Sequence, residues 1–378
     1  MKCILFANTD WYLYNFRRSL AVALREKGHE ILLVSPPGPY GEKLQSLGFR
    51  WIAAPMERTS LNPLRELALL CWLWRLMRKE RPDVVHSFTI KCAVYGGLVG
   101  RLVKAGRVNA VTGMGYVFIS PSLKAQLLRP LLRLLMRAAL GGDRASLILQ
   151  NADDVQLFER ARLIPLEQIR LVRSSGVDCS RFLPPNDERA PDGGPLRIVL
   201  AARMLWDKGV GEFVDAARLL KSEGRQLRFV LAGVPDPGNP AAIAEETLLG
   251  WQAEGLVEWL GHVADMPTLL AGADIVVLPS YREGLPKSLI EAAACARPLI
   301  TTDVPGCREV VTHGVDGLLV PVRDGEALAK AIARLQDAPA LARRLGEAAR
   351  ERALAEFDER VVIEQTLAAY YEIVNERK

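Results

Sequence analysis

Short apolar runs of strand length alternate with segments of helical periodicity along this chain, and the alternation occurs twice. The first series comprises KCILFA (2–7), EILLVS (30–35), WIAA (51–54), DVVHS (83–87), VNAV (108–111), SLILQ (146–150) and IRLV (169–172). The second comprises RIVLAA (197–202), RFVLAG (228–233), VEWL (257–260), DIVVLP (274–279), PLIT (298–301) and GLLV (317–320). Strands that alternate with helices are typical of parallel, doubly wound sheets. The pattern therefore predicts an α/β protein with two such sheets.

A stretch rich in proline, glycine and acidic residues separates the two series. It reads RFLPPNDERAPDGGP, residues 181–195, and predicts a linker. We expect an N-terminal domain over 1–180, a C-terminal domain over 196–356, and a last helix over 357–378 that packs back on the first domain. A chain of 378 residues has the usual size for two domains. Two domains of this kind create a cleft between them.

Composition and charge narrow the class of protein. The chain is 49% hydrophobic and 25% charged, as globular proteins are. Its formal net charge is +5 without a dense run of lysine and arginine, which argues against a nucleic-acid partner. The six cysteines lack C-x-x-C spacing, so we expect free thiols in a cytoplasmic protein. No apolar stretch reaches the roughly 18 residues of a membrane-spanning helix. The apolar run within residues 1–10, MKCILFANTD, is too short for a signal peptide.

The sequence predicts no metal site and no cofactor. The four histidines are dispersed, which disfavours a transition-metal centre. The motif Asp-x-Asp does not occur, so a metal clamp for a diphosphate has no obvious ligands.

Glycines and charged residues follow the strands of the second series, where open α/β sheets bind ligands. Arg203 and Lys208 follow the first strand, and two cations are enough to hold a diphosphate. A Gly-Leu-Pro turn at 284–286 opens a helix whose free backbone N–H groups favour an anion. The other strand ends carry Gly233, Gly261-His262-Val263 and Asp303-Val304-Pro305-Gly306. The alternative interpretation is that these are solvated loop charges and simple turn glycines.

Two glutamates, Glu283 and Glu291, bracket this turn in YREGLPKSLIE (281–291). Paired carboxylates suggest acid/base chemistry, as in sugar hydrolysis. However, Glu283 follows a strand and Glu291 lies in the next helix, so nothing in the spacing places them on opposite faces of one bond. Ser288 and Glu291 also fit a capping box, in which the glutamate only stabilises the start of a helix. Ligand binding and helix capping both remain open for Glu291.

These segments resemble a known enzyme family. RMLWDKG (203–209), PSYREGLPKSLIEAAACARP (279–298), TTDVPGCREVV (301–311) and GVDGLLVP (314–321) are similar, in this order, to the retaining glycosyltransferases of family 4. Glu283 and Glu291 stand at the spacing of that family's Glu-x7-Glu motif. The resemblance implies the GT-B fold, in which two Rossmann-like domains face a central cleft, and a metal-independent transfer from a nucleotide sugar, here a UDP-sugar.

The resemblance implies a role for each of these side chains. Arg203 and Lys208 would neutralise the donor diphosphate, and Glu283 would contact hydroxyls of the donor sugar. These three would be the catalytic residues. Glu291 would bind the ribose hydroxyls. The other donor-binding positions are Gly284 and Leu285 beside sugar and phosphate, and Gly233, His262 and Val263 beside the base. The leaving diphosphate would take the acceptor's proton in a front-face displacement that retains anomeric configuration.

The first half resembles a narrower group within this family. TDWYLYNFRRSLAVAL (9–24), SFTIKCAVYGGL (87–98) and TGMGYVF (112–118) are similar to enzymes that add N-acetylgalactosamine or N-acetylglucosamine to sugars on undecaprenyl diphosphate. Such enzymes build bacterial surface polysaccharides, including O-antigens, and protein glycans. The acceptor's diphosphate would need cations, for which Lys91 and Arg17 are candidates. Asn8 and Gly115 are the further candidates for acceptor binding.

The chain departs from the family pattern at two places. After the first strand, Asn8-Thr9-Asp10-Trp11 stands where many members have a Gly-Gly turn. His86 is followed by Ser87-Phe88 instead of completing a His-x-His motif. His86 is therefore either a catalytic residue or a buried strand residue.

A lipid-linked acceptor would bring the enzyme to the inner face of the cytoplasmic membrane. In SLKAQLLRPLLRLLMRAALGG (122–142), Arg129, Arg133 and Arg137 recur every four residues among leucines. This basic stripe predicts a helix on the membrane surface. The helix predicted over 64–81, with two tryptophans and four cations near its end, is a second candidate. In the alternative interpretation, both are ordinary helices that flank the first sheet.

Three rival functions remain at this point. A UDP-sugar 2-epimerase could use the same plan of two Rossmann-like domains, and a glycosyltransferase could use a soluble acceptor. A catalytically inactive homologue could serve as a scaffold. The Glu-x7-Glu block and the basic stripe argue against the epimerase, and the intact Arg203, Lys208, Glu283 and Glu291 argue against the scaffold.

Overall fold

A computed structural model of the chain describes residues 1–57, 60, 62–111, 134–185 and 194–375. The chain divides into two compact units, one formed by Met1–Gly176 with Arg360–Lys378 and the other by Val177–Glu359. Residues 181–185 of the predicted linker belong to the second unit, and residues 186–193 lie outside the described part.

The first unit contains a seven-stranded sheet in the order β3-β2-β1-β4-β5-β6-β7, and every neighbouring pair is parallel. Its strands are β1 (Lys2–Phe6), β2 (Glu30–Ser35), β3 (Arg50–Ala53), β4 (Val84–Phe88), β5 (Gly106–Ala110), β6 (Ala145–Leu149) and β7 (Ile169–Leu171). The central strands β4, β5 and β6 are buried along their whole length, as expected for a parallel sheet covered on both faces.

Helices connect these strands. They are α1 (Asp10–Tyr12), α2 (Arg18–Glu26), α3 (Gly41–Ser46), α4 (Pro63–Glu80), α5 (Ile90–Leu102), α6 (134–140) and α7 (Ala152–Arg160). A π-helical turn, Leu13–Arg17, lies between α1 and α2. Local sequence explains several ends: the side chain of Asn62 caps α4, which has proline at its first position, and that of Asn151 caps α7.

The second unit contains a six-stranded sheet in the order β10-β9-β8-β11-β12-β13, again with parallel neighbours. Its strands are β8 (Leu196–Ala201), β9 (Leu227–Ala232), β10 (Glu258–Trp259), β11 (Ile275–Leu278), β12 (Leu299–Thr302) and β13 (Leu318–Val320). Its helices are α8 (Val210–Ser222), α9 (Glu245–Ala253), α10 (Met266–Ala271), α11 (Lys287–Ala294), α12 (Cys307–Val310), α13 (Gly325–Asp337) and α14 (Pro339–Arg352). The predicted fold class, two parallel-sheet Rossmann-like domains, is confirmed.

The last helix, α15 (Glu359–Asn375), packs within the first unit. Its buried Tyr370 and Ile373 share one hydrophobic cluster with Leu5 of β1 and Val84 of β4. Residues 353–357 form a second π-helical turn, and Asp358 pairs with Val177 in a parallel bridge inside the second unit.

Candidate active site

The loop after β8 places Lys208 at the carboxyl end of the second sheet. A short 3-10 turn, Trp206–Lys208, is followed by Gly209, whose φ of 73° lies in the left-handed region. A Cβ atom on Gly209 would lie 2.2 Å from the carbonyl oxygen of Pro279, which follows β11. Glycine therefore lets the loops after β8 and β11 touch.

Lys208 and Glu283 form an ion pair across these two loops. The Lys208 Nζ lies 2.5 Å from Oε1 of Glu283, and the hydroxyl of Ser280 donates to the same oxygen at 2.6 Å. The side chains of Lys208 and Glu283 are 16% and 12% exposed, so both remain accessible to a ligand. An ammonium group and a carboxylate are thus held in contact at the carboxyl end of the second sheet.

The loop after β12 supports this arrangement from the other side. A Cβ atom on Gly306 would lie 2.6 Å from the carbonyl oxygens of Glu283 and Gly284, so only glycine fits at its φ of 82°. The Glu283 N–H donates to Pro305 O at 3.3 Å, and the Thr302 hydroxyl donates to Ser280 O. Gly284 and Leu285 are half-buried, and Leu285 packs against the core. The loops after three neighbouring strands therefore hold Glu283 in one position.

Arg203 is exposed and forms an ion pair with Asp236. Asp236 lies in the loop after β9, and sequence reasoning missed it. Charged residues that follow predicted strands pointed to the other positions, and the same criterion applies to Asp236. It is the first charged residue after β9. This ion pair therefore joins the loop after β8 to the loop after the neighbouring strand β9.

Glu291 lies in the second turn of α11, and the structure bears on the capping-box interpretation. The helix begins at Lys287, its N-cap position is Pro286, and no side chain caps it. Ser288 therefore lies inside the helix, and the capping box is wrong. The Glu291 side chain is 14% exposed, and its carboxylate is 3.8 Å from Lys287 Nζ. Burial raises the pKa of Glu291 to about 7, although Lys287 and Arg181 oppose the shift.

The predicted base-binding positions surround the end of β9. Gly233 has a φ of 145°, and a Cβ atom there would lie 1.8 Å from Ala202 O. Its N–H donates to Gly261 O at 2.7 Å, and its carbonyl accepts from Trp259 Nε1 at 2.8 Å. His262 is exposed, and Val263 is half-buried against the core. These contacts join the loops after β8, β9 and β10 around Gly233.

Two of the predicted acceptor-binding residues differ sharply in their surroundings. Lys91 Nζ lies 2.9 Å from Glu66 Oε1 and donates to the carbonyl oxygens of Glu57 and Ser60. Arg17 is buried at the end of the π-helical turn. Asn8 is half-buried just after β1. Gly115 lies outside the described residues.

His86 is fully buried in the middle of β4. Its Nδ1 is 2.6 Å from the hydroxyl of Tyr370 in α15. Burial holds the pKa of His86 well below its usual value, and the charge of Arg17 adds to the effect. His86 is therefore a neutral imidazole that joins β4 to the last helix.

Of the predicted basic stripe, only Arg137 lies within the described residues; Arg129 and Arg133 do not. Arg137 is exposed on α6, and its Nε and Nη2 donate to the carbonyl oxygen of Arg162 at 2.9 and 2.6 Å. Its guanidinium thus fastens α6 to the turn after α7.

Among the described residues, no group of three or more histidine, cysteine, aspartate or glutamate side chains could hold a metal ion. No helix in the same part of the chain combines the length and hydropathy needed to cross a membrane.

Known proteins resemble the chain over nearly its whole length. Residues 15–206 match the family model described as a glycosyl transferase 4-like domain, and residues 195–338 match glycosyl transferases group 1. The N,N'-diacetylbacillosaminyl-diphospho-undecaprenol alpha-1,3-N-acetylgalactosaminyltransferase of Campylobacter jejuni is 30% identical over 373 residues, which cover 96% of each chain. The UDP-Gal:alpha-D-GlcNAc-diphosphoundecaprenol alpha-1,3-galactosyltransferase of Escherichia coli is 24% identical, over 81% of this chain and 79% of that one. Among solved structures, HepE of Anabaena in complex with UDP superposes with a TM-score of 0.80 at 18% identity, over 98% of this chain and 100% of that chain.

The two doubly wound units have the GT-B fold. The chain belongs to glycosyltransferase family 4 and is a hexosyltransferase. The resemblance read from its motifs is confirmed.

Proposed function

We propose that this enzyme transfers an N-acetylhexosamine from a UDP-sugar to a saccharide linked to undecaprenyl diphosphate. Transfer would retain the anomeric configuration, need no metal, and take place at the inner face of the cytoplasmic membrane. The observation that carries the proposal is the Lys208–Glu283 ion pair at the end of β11, beside the exposed Arg203. The names of the Campylobacter and Escherichia relatives support a diphospho-undecaprenol acceptor.

The donor would bind along the carboxyl ends of the second sheet. Arg203 and Lys208 carry the positive charge that a diphosphate needs, and Glu283 offers a carboxylate to sugar hydroxyls. On binding, Lys208 would exchange part of its contact with Glu283 for a phosphate oxygen. The base would lie on the backbone surface of Gly233 and the turn at His262 and Val263. The UDP in the Anabaena structure and the UDP-galactose in the Escherichia enzyme's name favour uridine.

Glu291 suits the ribose because its carboxyl is desolvated. A buried carboxylate lacks water to accept from, so two ribose hydroxyls that donate to it would replace the missing hydration. The same desolvation raises the pKa of Glu291. Gly284 and Leu285, between the two glutamates, would line the sugar and the adjoining phosphate.

Arg203 and Lys208 would stabilise the charge that develops on the leaving diphosphate. In a front-face displacement, that diphosphate takes the proton of the attacking acceptor hydroxyl, so no protein base is required. His86 would then have no part in proton transfer, which agrees with its burial and its bond to Tyr370.

The test is a screen of nucleotide sugars against a short panel of polyprenyl-diphosphate-linked sugars, read by mass and with a chelator in parallel. We expect a product one N-acetylhexosamine heavier than its acceptor, unaffected by the chelator. Glu283→Ala should abolish it while the fold persists. Epimerisation of the UDP-sugar without acceptor, or transfer to free sugars alone, would reject the proposal in favour of a rival.

A further inference from the structure

The guanidinium of Arg17 is buried, and no carboxylate among the described residues forms an ion pair with it. Arg17 is 5% exposed; its Nη2 donates to the hydroxyl of Tyr12 at 2.8 Å, while its buried Nε has no acceptor among the residues that the structure describes. Within the described part of the chain, no aspartate or glutamate pairs with it. A buried charge without a partner is unfavourable, so its retention indicates an anion that binds there.

The fold holds this cation at the carboxyl end of β4. The Arg17 Cζ lies 4.4 Å from the ring centroid of Phe88, the last residue of β4, and 5.4 Å from that of Tyr12. Arg17 also ends the π-helical turn Leu13–Arg17, a rare geometry that is frequent at functional sites. The side chain is thus fixed by two aromatic rings at the edge where parallel sheets bind ligands.

Helix α5 begins at the same strand end with its N-terminus uncapped. Thr89 directly follows Phe88 and occupies the N-cap position, but its side chain makes no capping hydrogen bond and the first turn has no acidic residue. Its φ of 71° is strained for a non-glycine residue, a feature that clusters at ligand sites. The positive end of a 13-residue helix therefore adds to the charge of Arg17.

The neighbouring groups leave Arg17 as the principal cation here. Lys91, in the first turn of α5, is neutralised by Glu66. His86, whose ring centroid lies 4.0 Å from that of Phe88, has a buried Nε2 that finds no partner in the described part of the chain. That nitrogen is a second polar atom that a ligand could satisfy.

We propose that the diphosphate of the lipid-linked acceptor binds at the carboxyl end of β4, between the guanidinium of Arg17 and the N-terminus of α5. The inference rests on the proposed function. It assigns the acceptor's diphosphate to two named groups of the first unit. A diphosphate supplies the oxygens that two N–H groups of a guanidinium and free helix N–H groups require. The donor's diphosphate has the same chemistry, but its cations, Arg203 and Lys208, belong to the second unit.

The test is calorimetric titration of the full-length protein with farnesyl diphosphate and, separately, with UDP. The variants are Arg17→Gln and, as matched control, Arg18→Gln, whose guanidinium stacks on Tyr14 instead. We expect Arg17→Gln to weaken farnesyl diphosphate binding about tenfold or more, the worth of one charge-assisted hydrogen bond. UDP binding should stay within about twofold, and Arg18→Gln should change neither.

Unchanged farnesyl diphosphate binding by Arg17→Gln, no binding by the wild type, or an equal loss for UDP would overturn the inference. If Arg17→Gln does not fold, Arg17→Lys is titrated instead. Lysine keeps the positive charge but lacks the planar guanidinium that can donate two parallel hydrogen bonds to a phosphate. A several-fold loss of farnesyl diphosphate affinity in that variant supports the site, and unchanged affinity rejects it. The titration requires no sugar transfer, so failure of the proposed transferase reaction is recognised separately in the product screen.

Discussion

Lys208 and Glu283 are 75 residues apart in sequence, yet their side chains lie 2.5 Å apart at the end of the second sheet. Each comes from a loop that follows a different strand, β8 or β11, and these strands are neighbours in the sheet. Because the pair is mostly buried and is shared with Ser280, its members should be coupled both in stability and in catalysis.

Glu283→Gln should lower kcat/KM by about 100-fold, or ~2.7 kcal/mol, because a neutral amide cannot balance Lys208 while the sugar is held. Lys208→Gln should cost at least as much, and the double variant less than the sum. Steady-state kinetics on all three gives the coupling energy. As a control, Lys330→Gln breaks an exposed ion pair with Glu326 and should leave activity unchanged. Additive effects of the two site variants would contradict the coupling.

Gly209→Ala should destabilise the second unit and impair activity. Gly209 and Gly224 share a φ of 73°, but a Cβ atom on Gly224 meets nothing within 4 Å, whereas one on Gly209 meets Pro279 O. Gly224→Ala should therefore cost about 1 kcal/mol from backbone strain alone, and Gly209→Ala about 2 kcal/mol more from overpacking. Denaturant unfolding measures both. Equal losses in the two variants would show that the contact with Pro279 relaxes freely.

Binding of a UDP-sugar should strengthen as pH rises from about 6 to about 8. Burial raises the pKa of Glu291 to about 7, so the carboxyl is largely protonated at the low end and ionised at the high end. Only the ionised form accepts hydrogen bonds from both ribose hydroxyls, so binding should lower this pKa and release a proton. A UDP-sugar is the suitable ligand because its diphosphate diester does not titrate in this range.

Glu291→Gln should flatten that pH profile, as measured by calorimetry at several pH values. His262→Gln, which removes the exposed imidazole near the base, serves as the matched control and should keep the slope. A wild-type affinity independent of pH would contradict the role of Glu291 at the ribose.

Tyr370→Phe should destabilise the first unit by about 1–3 kcal/mol, because it leaves Nδ1 of the fully buried His86 without a partner. The neighbouring Tyr371 is exposed, and its hydroxyl lies 3.3 Å from His29. Tyr371→Phe should therefore change stability by less than about 0.5 kcal/mol. Thermal unfolding of both variants makes the comparison. Comparable losses would show that the hydroxyl of Tyr370 contributes little.

Reversal of two charges in the basic stripe, Arg129→Glu with Arg133→Glu, should weaken co-sedimentation with anionic liposomes, because anionic lipid attracts basic residues. Binding of a UDP-sugar should persist. The matched control reverses two exposed charges in the second unit, Lys330→Glu with Arg334→Glu. Liposome binding that survives the first reversal would place the membrane contact elsewhere.

The amino-acid sequence by itself determined the alternation of strands and helices. Each of the thirteen apolar runs forms a strand within about two residues of its predicted position, because parallel strands covered on both faces are near-continuous hydrophobic runs. The order of elements also identified the strand ends at Arg203, Lys208 and Glu283, since the loops after parallel strands meet at one edge. The family resemblance followed from motifs that are contiguous in sequence.

Only the tertiary structure decided which partner each charged group has. Lys91 and Arg17 looked equivalent as acceptor cations, but Glu66 of α4 neutralises Lys91, while Arg17 is buried on Phe88 and pairs with no carboxylate of the described segments. Similarly, the partner of His86 is Tyr370, 284 residues away. Local patterns specify backbone conformation, but ion pairs and burial depend on which distant segments pack together. That packing brings Lys208 and Glu283 into mutual contact and buries the guanidinium of Arg17 against Phe88.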